Sequence, residues 1–235
     1  MAEITSEGLA QEQRVEEELC TKYETKLTPR GITPEKLKAH AASVAEMEDK
    51  RVLASNAESA KAQLTQQEAE GRSNLSDRLR ALQEPVKKEF GIGSPEAKEF
   101  AVGEPLTDST KQVIARAKDV VKKWVTYKDR LGNQGVIQDD IDAIQTDADS
   151  LGTLDAKQET AKKAAKAATQ AFNDAMDTVV KIADSIQSGA RMAFTKNKAV
   201  QAEFKAAKKL RYSAPAREKK TDPPPATDAA NTAGK

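Results

Sequence analysis

The chain is short of nearly everything from which reactive or disulfide-stapled proteins are built. Its 235 residues include one cysteine, Cys20, and one histidine, His40. A lone cysteine excludes an internal disulfide and a thiolate metal cage. A lone histidine excludes any site that needs two, including the paired Glu-x-x-His of di-metal helix bundles. Aromatic residues make up 4% of the chain. No apolar run reaches the ~18 residues of a membrane span, and the opening MAEITSEGLAQEQ lacks the basic flank and apolar stretch of a signal peptide, so a cytoplasmic protein is expected. There is no G-x-G-x-x-G, and no glycine-rich loop runs into Lys-Ser or Lys-Thr. Phosphate-cradling chemistry is therefore disfavoured, and neither a cofactor nor a small-molecule substrate is predicted.

What is abundant favours helix. The chain has 39 alanines and 32% charged residues, while β-branched and aromatic strand formers are sparse. Prolines at 29, 34, 85, 95 and 105 are followed by none until Pro215, after which Pro223, Pro224 and Pro225 cluster. The net charge of +1 conceals a gradient: residues 1–104 carry 15 basic and 20 acidic side chains, and residues 205–235 carry 8 and 3. The end of the chain holds almost nothing large and apolar, so it cannot bury enough surface to offset its ordering entropy.

One spacing organises the rest. Tyr23, Phe90 and Phe100 are each followed 104 positions later by an identical residue: Tyr127, Phe194 and Phe204. At the same offset Gly31 meets Gly135, Leu27 meets Leu131, Leu37 meets Ile141, Leu75 meets Val179, Leu82 meets Ile186, Glu99 meets Glu203 and Pro85 meets Gly189. A fixed period of this kind indicates an internal duplication. The expectation is an all-α, elongated helical bundle built from two duplicated three-helix units, 1–104 and 105–211, with a disordered Pro/Ala-rich basic tail at 212–235.

In the second unit a first helix, capped by Asp108, carries Val113, Ile114, Ala117, Val120, Val121, Trp124, Tyr127 and Leu131 at three- and four-residue spacing. Its counterpart, Leu9 to Leu27, is thinner, with Glu16, Glu17 and Glu18 expected to face water, and it ends at Pro29–Gly31. The second helix starts from Thr33 and Pro34, with a stripe of Leu37, Val44, Met47 and Val52 or Leu53, and is expected to run on into the third with only a bend; in the other unit a break is predicted at Ser150–Thr153. The third helix has its seam at Leu64, Leu75, Leu79, Leu82 and Val86, matched by Ala164, Ala168, Phe172, Met176, Val179, Ile182, Ala183 and Ile186. A kink or stop is predicted at Pro85 and Gly189. After it, Gly91–Ile92–Gly93 turns the chain, Ser94 caps and Pro95 opens a short helix that the Phe90–Phe100 pair staples back.

Reactive constellations are scarce. His40 aligns with Ile144 and Cys20 with Trp124, so both read as core residues. The segment DADSLGTLDAKQ from Asp147 has oxygen ligands and a glycine at calcium-loop positions, but Leu151 and Gln158 occupy two ligand positions, and helix capping is preferred. The expected function is a non-catalytic structural or protein-interaction module, acting on a protein partner or on itself. Its structural candidates are Tyr23, Phe90, Phe100, Trp124, Tyr127, Phe194 and Phe204. The alternative is nucleic-acid binding through Lys205, Lys208, Lys209, Arg211, Arg217, Lys219 and Lys220; a metal-binding helical bundle ranks third.

Overall fold

A computed structural model describes residues 4–104 and 109–212. The described residues are all-α, without a strand. The order is α1 (Ser6–Lys22), α2 (Glu24–Leu27), a 3-10 turn (Thr28–Arg30), α3 (Pro34–Phe90), α4 (Pro95–Glu99), α5 (Thr110–Gly132), α6 (Gln138–Ala193) and α7 (Lys198–Leu210). The offset of 104 reappears in these bounds: α1 and α5 start 104 residues apart, and so do α3 and α6. The expected cap at Asp108 and the tail from residue 213 onward lie outside the described residues.

Local chemistry sets the ends. The Thr33 hydroxyl accepts from the Lys36 amide at 3.4 Å as α3 begins on Pro34, and the Ser94 hydroxyl accepts from Ala97 N at 3.0 Å as α4 begins on Pro95. Gly31 and Gly135 close the first helices of the two halves with φ of 74° and 89°, a region other residues rarely enter.

Three expectations are corrected. In the second half the second and third helices are one continuous helix, as they are in the first, so Ser150–Thr153 is not a break. Gly152 costs only about 1 kcal/mol inside a helix, which the burial of neighbouring Leu151 and half-buried Leu154 outweighs. Of the kink or stop expected at Pro85 and Gly189, the stop does not occur: Leu82 and Val86 are buried on either side of Pro85, and α3 runs to Phe90. Gly189 likewise lies inside α6. The seam phase also shifts. Val52 and Leu53 are exposed and Ala54 is buried in their place; Ala165, not Ala164, faces inward.

The described helices gather into two compact units, each with residues from both halves of the sequence: one takes α1, α2, α3 as far as Met47, α6 from Met176 and α7, and the other takes the rest of α3 and α6 with α4 and α5. In the first unit α1, the start of α3, the end of α6 and α7 enclose Cys20, Leu27, Ile32, Ile186, Phe194 and Phe204. Here α1 packs along α7, and Thr5 N donates to the Arg211 carbonyl at 3.0 Å. In the second unit α5, α4 and the facing parts of α3 and α6 enclose Leu75, Leu82, Phe100, Trp124, Leu131 and Ile144. Along α6 in this unit Ile144, Leu151, Gln158 and Ala165 are buried at seven-residue intervals, the repeat of a helix–helix seam.

Glycine chemistry supplies a test of this packing. A methyl on Gly8 would collide with the Leu210 carbonyl oxygen, whereas one on Gly152 meets nothing. Gly8→Ala is expected to lower stability by more than about 2 kcal/mol and Gly152→Ala to raise it by about 0.5–1 kcal/mol; thermal melting followed by circular dichroism checks both.

Candidate functional site

Each unit contains one aromatic triad, and each triad is assembled across the two halves. Tyr23 meets Phe194 edge-on at 5.1 Å, and Tyr127 meets Phe90 at 5.2 Å. Phe194 and Phe204 stack at 6.4 Å, as Phe90 and Phe100 do. The Tyr23 hydroxyl donates to Glu203, which also pairs with Lys22 at 3.1 Å; Glu99, at the matching position, pairs with Lys123 at 2.8 Å. Trp124 is buried in the second unit and donates Nε1–H to Gln138 Oε1 at 2.9 Å.

The two units differ in what fills the space beside the rings. The second is apolar, with Val120 and Ile144 buried. At the matching positions the first unit holds Glu16 and His40, 0% and 1% exposed. The expectation that Glu16 faces water is therefore corrected; Glu17 and Glu18 do face it. Glu12, one turn earlier, is also 0% exposed, and its two oxygens receive the Arg211 guanidinium as a fork at 2.6 and 2.7 Å. Arg211 Nη1 reaches Asp184 at 2.9 Å. Burial opposes the charge on Arg211, but the hydrogen bonds it donates to Glu12 and Asp184 outweigh it and hold the guanidinium ionised. Burial raises the Glu12 carboxyl against the pull of that fork.

Glu16 accepts from Gln187 Nε2 at 2.6 Å, while its second oxygen lies 3.8 Å from His40 Nδ1, too far for a hydrogen bond. That oxygen and His40 Nε2 are buried without hydrogen-bond partners. Burial first, and the Glu12 charge second, lift the Glu16 carboxyl to about 8, so it keeps its proton at neutral pH. Burial, then the Arg211 charge, press His40 down to about 4. Cys20, beside them, is buried and pushed up to about 12 by burial, an unreactive thiol.

Two open grooves flank this cluster in the first unit. One, of about 640 Å³, lies between α6 and α7: Arg191, Lys198, Lys205 and Lys208 rim it, and Gln187 and Phe204 lie within it. The other, of about 440 Å³, lies between α1 and α3, with Glu17, Glu24, Glu35 and Lys38 around Cys20, Ile32 and Leu37.

Of the sequence-predicted nucleic-acid residues, the described ones differ in exposure and pairing. Arg211 is 1% exposed and spent on Glu12 and Asp184, so it does not face a phosphate; Lys208 pairs with Asp184 at 2.9 Å. Lys205 and Lys209 are exposed, and Arg217, Lys219 and Lys220 lie outside the described residues. The calcium-like segment is continuous helix, with Asp147 paired to Arg78, so it lacks the loop such a site needs. Among the described residues no group of three or more His, Cys, Asp or Glu is placed to hold a metal ion, and no helix is long and apolar enough to cross a membrane. No family model, curated protein or solved structure matches the chain.

Glu16 favours folding when protonated: that contribution is complete below its ordinary 4.5 and is lost as pH rises to about 8. His40 favours folding when neutral: its contribution is complete above its ordinary 6.5 and is lost as pH falls to about 4. The two oppose each other between 4.5 and 6.5. Stability is therefore expected to be level there and to decline from 6.5 to about 8, and Glu16→Gln is expected to flatten that decline in urea titrations across pH. Arg211→Met strands Glu12 and is expected to cost about 3–5 kcal/mol in the same assay.

Proposed function

We propose that the chain is a non-catalytic, cytoplasmic structural or interaction module made from two copies of one helical unit, and that it acts by contact with a protein partner or with itself. The observation that carries this reading is how the buried polar groups are spent. Arg211 is committed to Glu12 and Asp184, Gln187 to Glu16, and Glu16 and His40 are sealed from solvent. A general acid–base pair must reach a substrate proton, and this cluster faces packed helix. Solvent-facing helix surface is plentiful by contrast. In α3 residues 48–71 bury only Ala54, leaving about 36 Å of charged helix surface.

The reading is tested by sedimentation of the purified chain together with affinity capture from an extract of its source cells. A stoichiometric complex, with itself or with one other protein, is expected. A chain that sediments as a monomer at every concentration and captures nothing contradicts it.

A further inference from the structure

The two grooves of the first unit carry opposite charge, and they share no helix. The α6–α7 groove is rimmed by four cations, and three of these, Arg191, Lys198 and Lys205, have no ion-pair partner among the described residues. The α1–α3 groove sets Glu17, Glu24 and Glu35 against a single Lys38 around an apolar floor, and none of the three carboxylates has a cationic partner among the described residues. A generic solvated helix surface would intersperse the signs. The pattern is only partly shared with the other unit. Lys87 and Asp139, 104 positions from Arg191 and Glu35, keep the sign, but the residues 104 positions from Lys198, Lys205 and Lys208 are Ser94, Ala101 and Glu104, and those 104 from Glu17 and Glu24 are Val121 and Lys128.

Resting on the interaction reading above, we propose that the chain binds a second copy of itself, the basic α6–α7 groove of one molecule docking on the acidic α1–α3 groove of the next. The argument is charge complementarity between two surfaces of one unit, each with apolar area inside a charged rim. Because the surfaces are different, the contact is head-to-tail: an open assembly keeps one free groove of each sign, one at either end, and extends with concentration unless the rotation closes a ring. Opposed charges at the rims steer the encounter and make it salt-sensitive.

The test uses the full chain and two double variants, Lys198→Glu/Lys205→Glu and Glu17→Lys/Glu24→Lys, all at exposed positions, with circular dichroism to verify their helicity. Sedimentation velocity at about 0.01 M and about 1 M salt, where the Debye length is ~30 Å and ~3 Å, reads the association. The wild-type chain is expected to associate at low salt and to weaken at least about tenfold at high salt. Each reversed variant alone is expected to be monomeric, and an equimolar mixture of the two to associate again, because each keeps the groove the other has reversed. Association that survives both reversals overturns the proposal, as does failure of the mixture to associate. A chain that is monomeric at low salt yet captures a different protein overturns it and leaves the interaction reading standing; a monomer that captures nothing removes both. A monomer that binds a single-stranded oligonucleotide, with binding lost in Lys198→Glu/Lys205→Glu, assigns the basic groove to polyanions and likewise overturns it.

Discussion

Neither half of this sequence can bury its own rings. Tyr23 closes on Phe194 and Phe204, and Tyr127 closes on Phe90 and Phe100, so each aromatic cluster needs one ring from one half and two from the other. In a chain with so few aromatics these contacts concentrate much of the large apolar volume available to each core. The remaining packing is arranged around them. The glycine turns that end the first helices, the short helices that bring Phe100 and Phe204 back, and the carboxylates Glu99 and Glu203 recur at matching places in the two units.

The frame is shared but the filling is not. Where the second unit places Val120 and Ile144, the first places Glu16 and His40, and it adds the Glu12–Arg211 fork. Such a cluster is costly to desolvate, and an apolar replacement is often neutral or stabilising. Its structural consequence is specific. Arg211 joins the end of α7 to α1 and α6, so closure of the first unit depends on an ion pair formed by residues 199 positions apart. The opposed grooves lie on the same unit, which makes it the more differentiated of the two surfaces.

Much of this was legible in the sequence. The 104-residue spacing of rare rings, the Thr33–Pro34 and Ser94–Pro95 starts and the glycine turns are local or periodic signals, and the structure follows them. The misreadings have physical causes. Glu16 read as solvated, and Glu12 drew no attention, because their stabilising partners, Gln187 and Arg211, lie far along the chain. The break expected at Ser150–Thr153 weighed one glycine against no tertiary contact, although Leu151 is 1% exposed. Val52 and Leu53 drew the seam toward themselves by hydrophobicity, when the seven-residue repeat from Met47 places Ala54 inward. Of the grooves only the basic cluster at Lys205 and Lys208 left a sequence signal, because Lys198 and Arg191, or Glu17 and Glu35, come together only when helices pack.

The central claim is that each core is built by both halves, and severing the chain between residues 104 and 105 tests it most directly. Co-expressed, residues 1–104 and 105–235 are expected to purify as a one-to-one complex with the near-ultraviolet aromatic signal of the intact chain, and each expressed alone is expected to lack that signal. Two fragments that fold separately as monomers, each with its own ordered rings, would contradict the account.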